Sequence, residues 1–392
     1  MLEIVITIML GVFTGIITGL TPGLHPNTVI FSSIPFYFNS KLSFSIYASF
    51  ISGISVSHTF HDFIPSIFLG VPEPDSALAA LPGQKMAMRG RGREGFVFTV
   101  YGGLYAMLTA FPASVLFYFF LEDFYKLLES QMHLLLLFFL AVIVFNSESI
   151  FDSVLTASLS ASLGLIAFQA PVNQQYVLIP IFGGMFAFPS VWNALKQGRK
   201  VPEQNFIFGG DGYRRGGFLG FLASVPVALL PGTSNSVSTA FLWPLVDSRK
   251  KFLSAVGGAN TSDIFLSFLT LMLLGRARSG ASVAVQTLGK TDAALMVVGA
   301  SIFAVGLSAP VSILTLRAFL GSGFHSYQEL LALVALLTVV VFSFYLTGFA
   351  GLLIFAVASA VGFFAAFTGN RHSCMSVLLV PAILFFSPQG FI

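Results

Sequence analysis

The sequence predicts an all-α polytopic membrane protein made of two inverted-topology repeats, with broken helices and re-entrant hairpins. Three observations predict it. First, of 392 residues only 19 are basic and 16 acidic, 9% charged, against about 25% in soluble domains. Hydrophobic residues reach 56%, 45 of the chain's residues being Phe, so there are too few charges to coat a water-soluble surface. Second, apolar segments of bilayer-spanning length recur along the chain. Third, the two halves repeat the same motifs in the same order. A soluble enzyme, a disordered chain and a nucleic-acid binder are excluded. The net charge of +3 is no argument for nucleic acid, because basic residues of a membrane protein serve first as topology signals. A single cysteine, Cys374, excludes an internal disulfide framework and a multi-cysteine metal site.

The elements follow in order. Met1-Leu2-Glu3 lacks the basic start of a cleavable signal peptide, so the first apolar run is expected to be retained. Segment 2–38 is cut by a polar Pro-Gly turn, and segment 43–90 breaks around Leu69-Gly70. Full spans are predicted at 95–121, 131–150, 152–170 and 176–194. A polar stretch from Ala194 to Gly216, rich in Lys and Arg, reads as a cytoplasmic linker. Segment 217–247 is again cut by Pro-Gly, and 252–290 breaks around Leu274-Gly275. Spans at 293–318, 328–347, 349–368 and 374–390 complete the chain. This divides it into a first repeat, 1–194, a linker, 195–216, and a second repeat, 217–392. Interrupted segments at matching places in two halves are the best sequence pointer to a transporter's binding site.

Four matches define the repeat. Gly19–Asn27 resembles Ala228–Asn235, and His58-Thr59-Phe60-His61-Asp62 resembles Asn260-Thr261-Ser262-Asp263. Leu69-Gly70 running to Lys85 resembles Leu274-Gly275 running to Lys290, and Val177–Pro180 resembles Leu378–Pro381. Twelve of the 19 Lys/Arg residues fall in three clusters: Lys85/Arg89/Arg91/Arg93, the linker, and Arg249/Lys250/Lys251. Their repeat counterparts hold Lys41 and Lys290 alone. Basic loops facing bare loops at equivalent positions predict inverted halves, with the clusters cytoplasmic and both termini outside. A parallel repeat is the alternative.

The breaks nominate the site. A helix that stops inside the bilayer exposes unpaired N–H groups, which can hold a carboxylate or phosphate. Candidate anion contacts are therefore Gly23, His25, Asn27 and Thr28 in the first Pro-Gly loop, and Gly232, Thr233, Ser234 and Asn235 in the second. From the Leu-Gly loops come Ser76, Arg276, Arg278 and Ser279. The opposing possibility for those two loops is that their charged tips pair with each other or lie in water. Asp62 and Asp263 are lone acids in their apolar stretches, so with Asn260 and Thr261 they are coupling-ion candidates for Na⁺ or H⁺. No catalytic constellation, phosphate loop or zinc motif stands out, and no cofactor or bound metal is expected. His25, His58 and His61 read as hydrogen-bonded groups with a proton-relay role open to them.

The run 11–26, ending Gly19-Leu20-Thr21-Pro22-Gly23-Leu24-His25-Pro26, resembles the first Pro-Gly motif of the large membrane subunit of tripartite tricarboxylate transporters. Phe68–Ala80 with Met86–Arg91 is similar to that family's proline-containing loop and its Met-Ala-x-x-Gly-Arg tail. Leu230-Pro231-Gly232 and Met375–Phe386 also fit. The resemblance spans most of the chain. It implies a permease for carboxylates such as citrate, commonly cation-coupled, with a small membrane subunit and a periplasmic binding protein as partners. Two departures mark a divergent, stand-alone branch, with an archaeal source open: the chain is short for the family, and Arg276-Ala277-Arg278-Ser279-Gly280 replaces a Pro-Gly-containing sequence. Pro231-Gly232-Thr233-Ser234 also resembles a motif of polyprenyl-phosphate transporters. The expectation is a multi-pass plasma-membrane symporter of a small organic anion working by alternating access, and the alternative is a lipid-phosphate flippase. Surrounding lipid is the other contact, and a homodimer is open.

Overall fold

The computed structural model describes residues 2–40, 42–197, 201–205, 212–230, 233–288 and 294–387. Every regular element among them is helical. In the first half these are α1 (Leu2–Leu20), α2 (Pro26–Asn39), α3 (Phe44–His61), α4 (Ala80–Ala87), α5 (Gly92–Glu129), α6 (Met132–Phe145), α7 (Ile150–Gln169), α8 (Leu178–Phe182) and α9 (Phe188–Gln197). The second half holds α10 (Gly212–Leu229), α11 (Asn235–Ala240), α12 (Arg249–Leu274), α13 (Gly280–Thr287), α14 (Ala294–Gly321), α15 (Phe324–Phe367) and α16 (Ser376–Phe386). Among the described residues six helices are long and apolar enough to cross a membrane, namely α1, α5, α7, α12, α14 and α15.

Both pairs of predicted breaks form. α1 ends at Leu20 and α2 restarts at Pro26, where Pro at the first helical position costs no hydrogen bond. In the second half α10 ends at Leu229 and α11 restarts at Asn235. α3 continues into a π-helical turn, Pro65–Leu69, which Gly70 stops in the left-handed conformation (φ 74°). Gly275 (φ 66°) stops α12 in the same way. A residue with a Cβ is strained at such an angle, which is why both breaks read Leu-Gly.

Three predicted spans come out differently. The segment 131–150 yields only the 14 residues of α6. There the Asn146 amide and the Ser147 hydroxyl bond back to the Val142 and Val144 carbonyls and cap the helix end. The segment 176–194 is interrupted by a π-helical turn at Gly183–Ala187, a local irregularity common at functional sites. The expected spans 328–347 and 349–368 are two helical arms within α15, separated at Gly348, where the backbone leaves the helical conformation (φ 66°, ψ −161°). The last segment opens with a 3₁₀ turn, Arg371–Met375, and keeps only the 11 residues of α16.

Helix packing relies on small residues, as expected where lipid gives no hydrophobic drive to helix association. On α1, Gly11, Gly15 and Gly19 recur every four residues and lie against α3. A Cβ on Gly11 would sit 2.5 Å from the Phe50 carbonyl oxygen, and one on Gly15 would sit 2.5 Å from the Ser57 Cβ. On α10, Gly216 and Gly220 do the same against α12, where a Cβ on Gly220 would sit 2.3 Å from the Ala255 carbonyl oxygen. α5 joins that pair, with Gly257 pressed on the Thr99 carbonyl. α3 and α14 pack together in the other half, the Ser52 hydroxyl meeting the Val297 carbonyl at 3.3 Å. One core gathers α1, α3, α5, α12 and α14, and a second gathers α6, α7, α8 and α16 with the inner face of α15.

Candidate functional site: a polar cavity between four broken-helix loops

The four break loops meet around one cavity of about 250 Å³. Its walls combine the start of α2, the end of α3, the loop after Gly70, the start of α11, the middle of α12 and the loop before α13. Contacts run across the halves. Gly280 lies so close to Asn27 that a Cβ there would meet the amide at 2.3 Å. In the opposite direction Ser236, on α11, donates its hydroxyl hydrogen to the Pro74 carbonyl. Each Pro-Gly loop therefore rests on the other half's Leu-Gly loop.

Most of the expected site residues line this cavity: His25, Asn27 and Thr28 in the first half, Thr233, Ser234, Arg278 and Ser279 in the second. Asp62, Asp263 and Asn260 also line it. Asp62 and Asp263 are both buried, and each faces an asparagine amide: Asn260 Nδ2 donates to Asp62 Oδ2 and Asn235 Nδ2 to Asp263 Oδ2, both at 3.2 Å. The Asp62 pair joins α3 to α12 and so links the two halves. Thr261 is buried on α12 beside α5, where a Cβ on Gly103 would meet its hydroxyl at 2.6 Å. Ser76 is fully buried in the 3₁₀ turn Pro74–Ala79, and Gly232 lies outside the described residues.

A backbone N–H beside each Pro-Gly break is occupied by the chain itself. The Gly23 N–H donates to Glu73 Oε1 at 2.8 Å, and the Asn235 N–H donates to Asp75 Oδ1 at 3.3 Å. Both carboxylates come from the single loop Val71–Ser76, which thus reaches both Pro-Gly breaks. Glu73 and Asp75 also line the cavity. The alternative left open for this acidic tip was exposure to water or pairing with the arginine tip. Only its Ser76 was nominated as a site residue. The helix starts are capped locally as well. His25 Nδ1 accepts from the Asn27 N–H (3.2 Å), and Ser234 Oγ from the Val237 N–H (3.3 Å).

The arginine tip behaves differently from its acidic counterpart. Arg276 pairs with Glu129 at 2.9 Å and bonds the Tyr125 hydroxyl at 2.7 Å, outside the cavity wall. Arg278 also donates to the Tyr125 hydroxyl (2.9 Å), yet it does line the cavity. Tyr125, at the far end of α5, therefore positions both arginines, a role nothing in its local sequence signals. His58 bonds the Thr18 hydroxyl (3.1 Å), and His61 bonds the Ser57 carbonyl (2.7 Å) and Thr315 (3.3 Å). Those contacts make His61 a structural residue with its ring nitrogens already engaged.

Several buried oxygens have no hydrogen-bond partner among the described residues. They include Asp62 Oδ1, Thr28 Oγ1, Ser55 Oγ and Asn235 Oδ1 near the cavity, and Thr261 Oγ1 deeper in α12. A buried acceptor without a donor is costly. A collection of hard oxygens, with acidic groups among them, suits a Na⁺ ion or a proton.

A charged, helix-broken cavity inside a multi-pass helical membrane protein is the architecture of a solute permease. The chain belongs to the Tripartite tricarboxylate transporter TctA family, which it matches over residues 5–376. It is therefore related to the membrane component of a tricarboxylate transport system. An uncharacterized protein of Methanocaldococcus jannaschii, MJ1079, is 27% identical over 379 residues, covering 92% of this chain and 94% of that protein. No solved structure matches the chain.

Proposed function

We propose that the protein is a cation-coupled secondary transporter of a small carboxylate anion, working by alternating access around the four-loop cavity. The observation that carries this reading is the pair of bonds from the Gly23 and Asn235 N–H groups to Glu73 and Asp75. These N–H groups suit a carboxylate, and here the chain's own carboxylates fill them. Substrate carboxylates displace Glu73 and Asp75, with Arg278, Asn27, Thr28, Thr233, Ser234 and Ser279 around them. Asp62, Asp263, Asn260 and Thr261 hold the coupling cation, whose positive charge offsets the acids. Coupling follows because an anion enters this acidic cavity favourably only when a cation is present.

Helix directions support inverted repeats, 1–194 and 217–392. α3 leads through the π-helical turn to Lys85, beside Arg249 at the start of α12. α12 runs the other way, toward Arg276 and Glu129. The basic clusters lie together: the Gly90 carbonyl accepts from the Asn205 N–H (2.9 Å), Gly92 donates to Gln204 (2.7 Å), and Lys250 pairs with Glu94. That face is assigned to the cytoplasm under the positive-inside rule, which puts both termini outside. A small membrane subunit and a binding protein are the partners that family membership suggests.

The test is uptake by vesicles holding the purified protein, across a panel of mono-, di- and tricarboxylates and a prenyl phosphate, with Na⁺ and H⁺ gradients imposed separately. Uptake of a carboxylate that one cation gradient drives supports the proposal. Transport of the prenyl phosphate alone would establish the flippase alternative instead.

A further inference from the structure

We propose that the basic face carries a second anion site, centred on Arg371, which takes a small oxyanion with two or more negative charges. Arg371 begins the 3₁₀ turn before α16 and is only 8% exposed. Its Nη1 donates to Ser190 at 3.0 Å, while its Nε has no hydrogen-bond partner. Among the described residues none of Lys85, Arg89, Arg249 and Arg371 has an ion-pair partner. A buried guanidinium without an acid partner is destabilising, and an anion bound beside it would offset that cost. Arg371 faces a cavity of about 510 Å³, walled also by Lys85, Arg89, Arg249 and Ser190. The exposed Glu329 is on the same wall, and the exposed Glu148 lines an adjoining cavity with Lys85, Arg249 and Arg371. Four cations against two exposed carboxylates leave a positive excess of two, which a singly charged anion would not neutralise. Burial, then the charges of Arg249, Arg371 and Arg89, pull the Lys85 pKa below the usual lysine value.

The site is distinct from the central cavity. Phe68 and Leu69 line the basic cavity, and Glu73 and Asp75, a few residues on, line the acidic one. The loop between them is the partition. The basic site stands on its own cations and does not depend on the transport mechanism proposed above. A soluble di- or tricarboxylate or inorganic phosphate fits this chemistry, whereas the phosphodiester head of phosphatidylglycerol carries a single negative charge.

The experiment uses the full chain in phosphatidylcholine nanodiscs. The rate at which an amine-reactive reagent modifies Lys85 is read by peptide mass spectrometry, with acetate, succinate, citrate or inorganic phosphate added. The dianions and citrate should protect Lys85 and acetate should not. The half-protecting concentration should rise at least tenfold in Arg371→Gln, and likewise in Arg249→Gln, which guards against a misfolded first variant. Lys126→Gln, at the far end of α5, should leave it unchanged. Lack of protection by every multivalent anion, or protection that survives in both arginine variants, overturns the proposal. So does protection that appears only with phosphatidylglycerol in the nanodisc and resists citrate, because that result assigns the cluster to lipid.

Discussion

Replacing Glu73 by Gln removes the charge that holds the first Pro-Gly break closed and keeps a similar shape. The Gly23 N–H bond to Glu73 Oε1 is 2.8 Å long and buried. Hydrogen bonds to charged acceptors are worth about 1.5–3 kcal/mol and neutral ones about 0.5–1.5 kcal/mol. The substitution therefore weakens the self-occupied state by roughly 1–1.5 kcal/mol, on the order of a five- to tenfold shift. A substrate carboxylate that competes for the same N–H should bind five- to tenfold more tightly to Glu73→Gln. Its dependence on Na⁺ or H⁺ should also flatten, since one acid fewer needs offsetting. The assay is equilibrium binding of a labelled carboxylate to nanodisc-embedded protein over a range of cation concentrations. Unchanged or weaker binding by a folded Glu73→Gln protein would show that Glu73 does not stand in the substrate's place.

The other predictions separate neighbours that look alike. Arg278→Gln should lower substrate affinity about tenfold or more as the cavity loses its cation, whereas Arg276→Gln should change it less than about twofold, its exposed pair with Glu129 being worth about 0–1 kcal/mol. The binding assay above reads both. Glu94→Gln should lower stability by about 1–3 kcal/mol, because buried Glu94 bonds Arg91 at 2.7 Å and pairs with Lys250; thermal unfolding in detergent measures it. For topology, a cysteine at Ser130 should react with an impermeant maleimide from outside intact cells and one at Glu203 only after permeabilisation. The reverse labelling pattern, or labelling of both from outside, contradicts the assigned orientation.

Much of this architecture was legible because the bilayer forces it. Charge scarcity gave the class, and the Pro-Gly and Leu-Gly pairs marked four breaks that all form. Some helix ends were missed. The polar run Asn146–Ser149 marks the end of α6 yet lies within the expected span 131–150, and the 3₁₀ turn Arg371–Met375 takes in Cys374 and Met375, the first two residues of the span 374–390. At the site, Asp62 and Asp263 were visible as lone intramembrane acids. Glu73 and Asp75 were not, because their role comes from a loop that spans the gap between two distant breaks, and local sequence does not encode that reach. Arg371 escaped for a related reason. Its burial depends on α9 and the loop before α16 meeting, which only the fold shows.

The central claim is that anion movement needs a cation at Asp62 and Asp263. The most direct measurement is the current across a solid-supported membrane of vesicles holding the protein, on rapid addition of a transported carboxylate. The account predicts a transient current that requires Na⁺ or a proton gradient and disappears in Asp62→Asn and Asp263→Asn, while both variants still bind the carboxylate. A wild-type current indifferent to both cations, or full currents in the two variants, would contradict it.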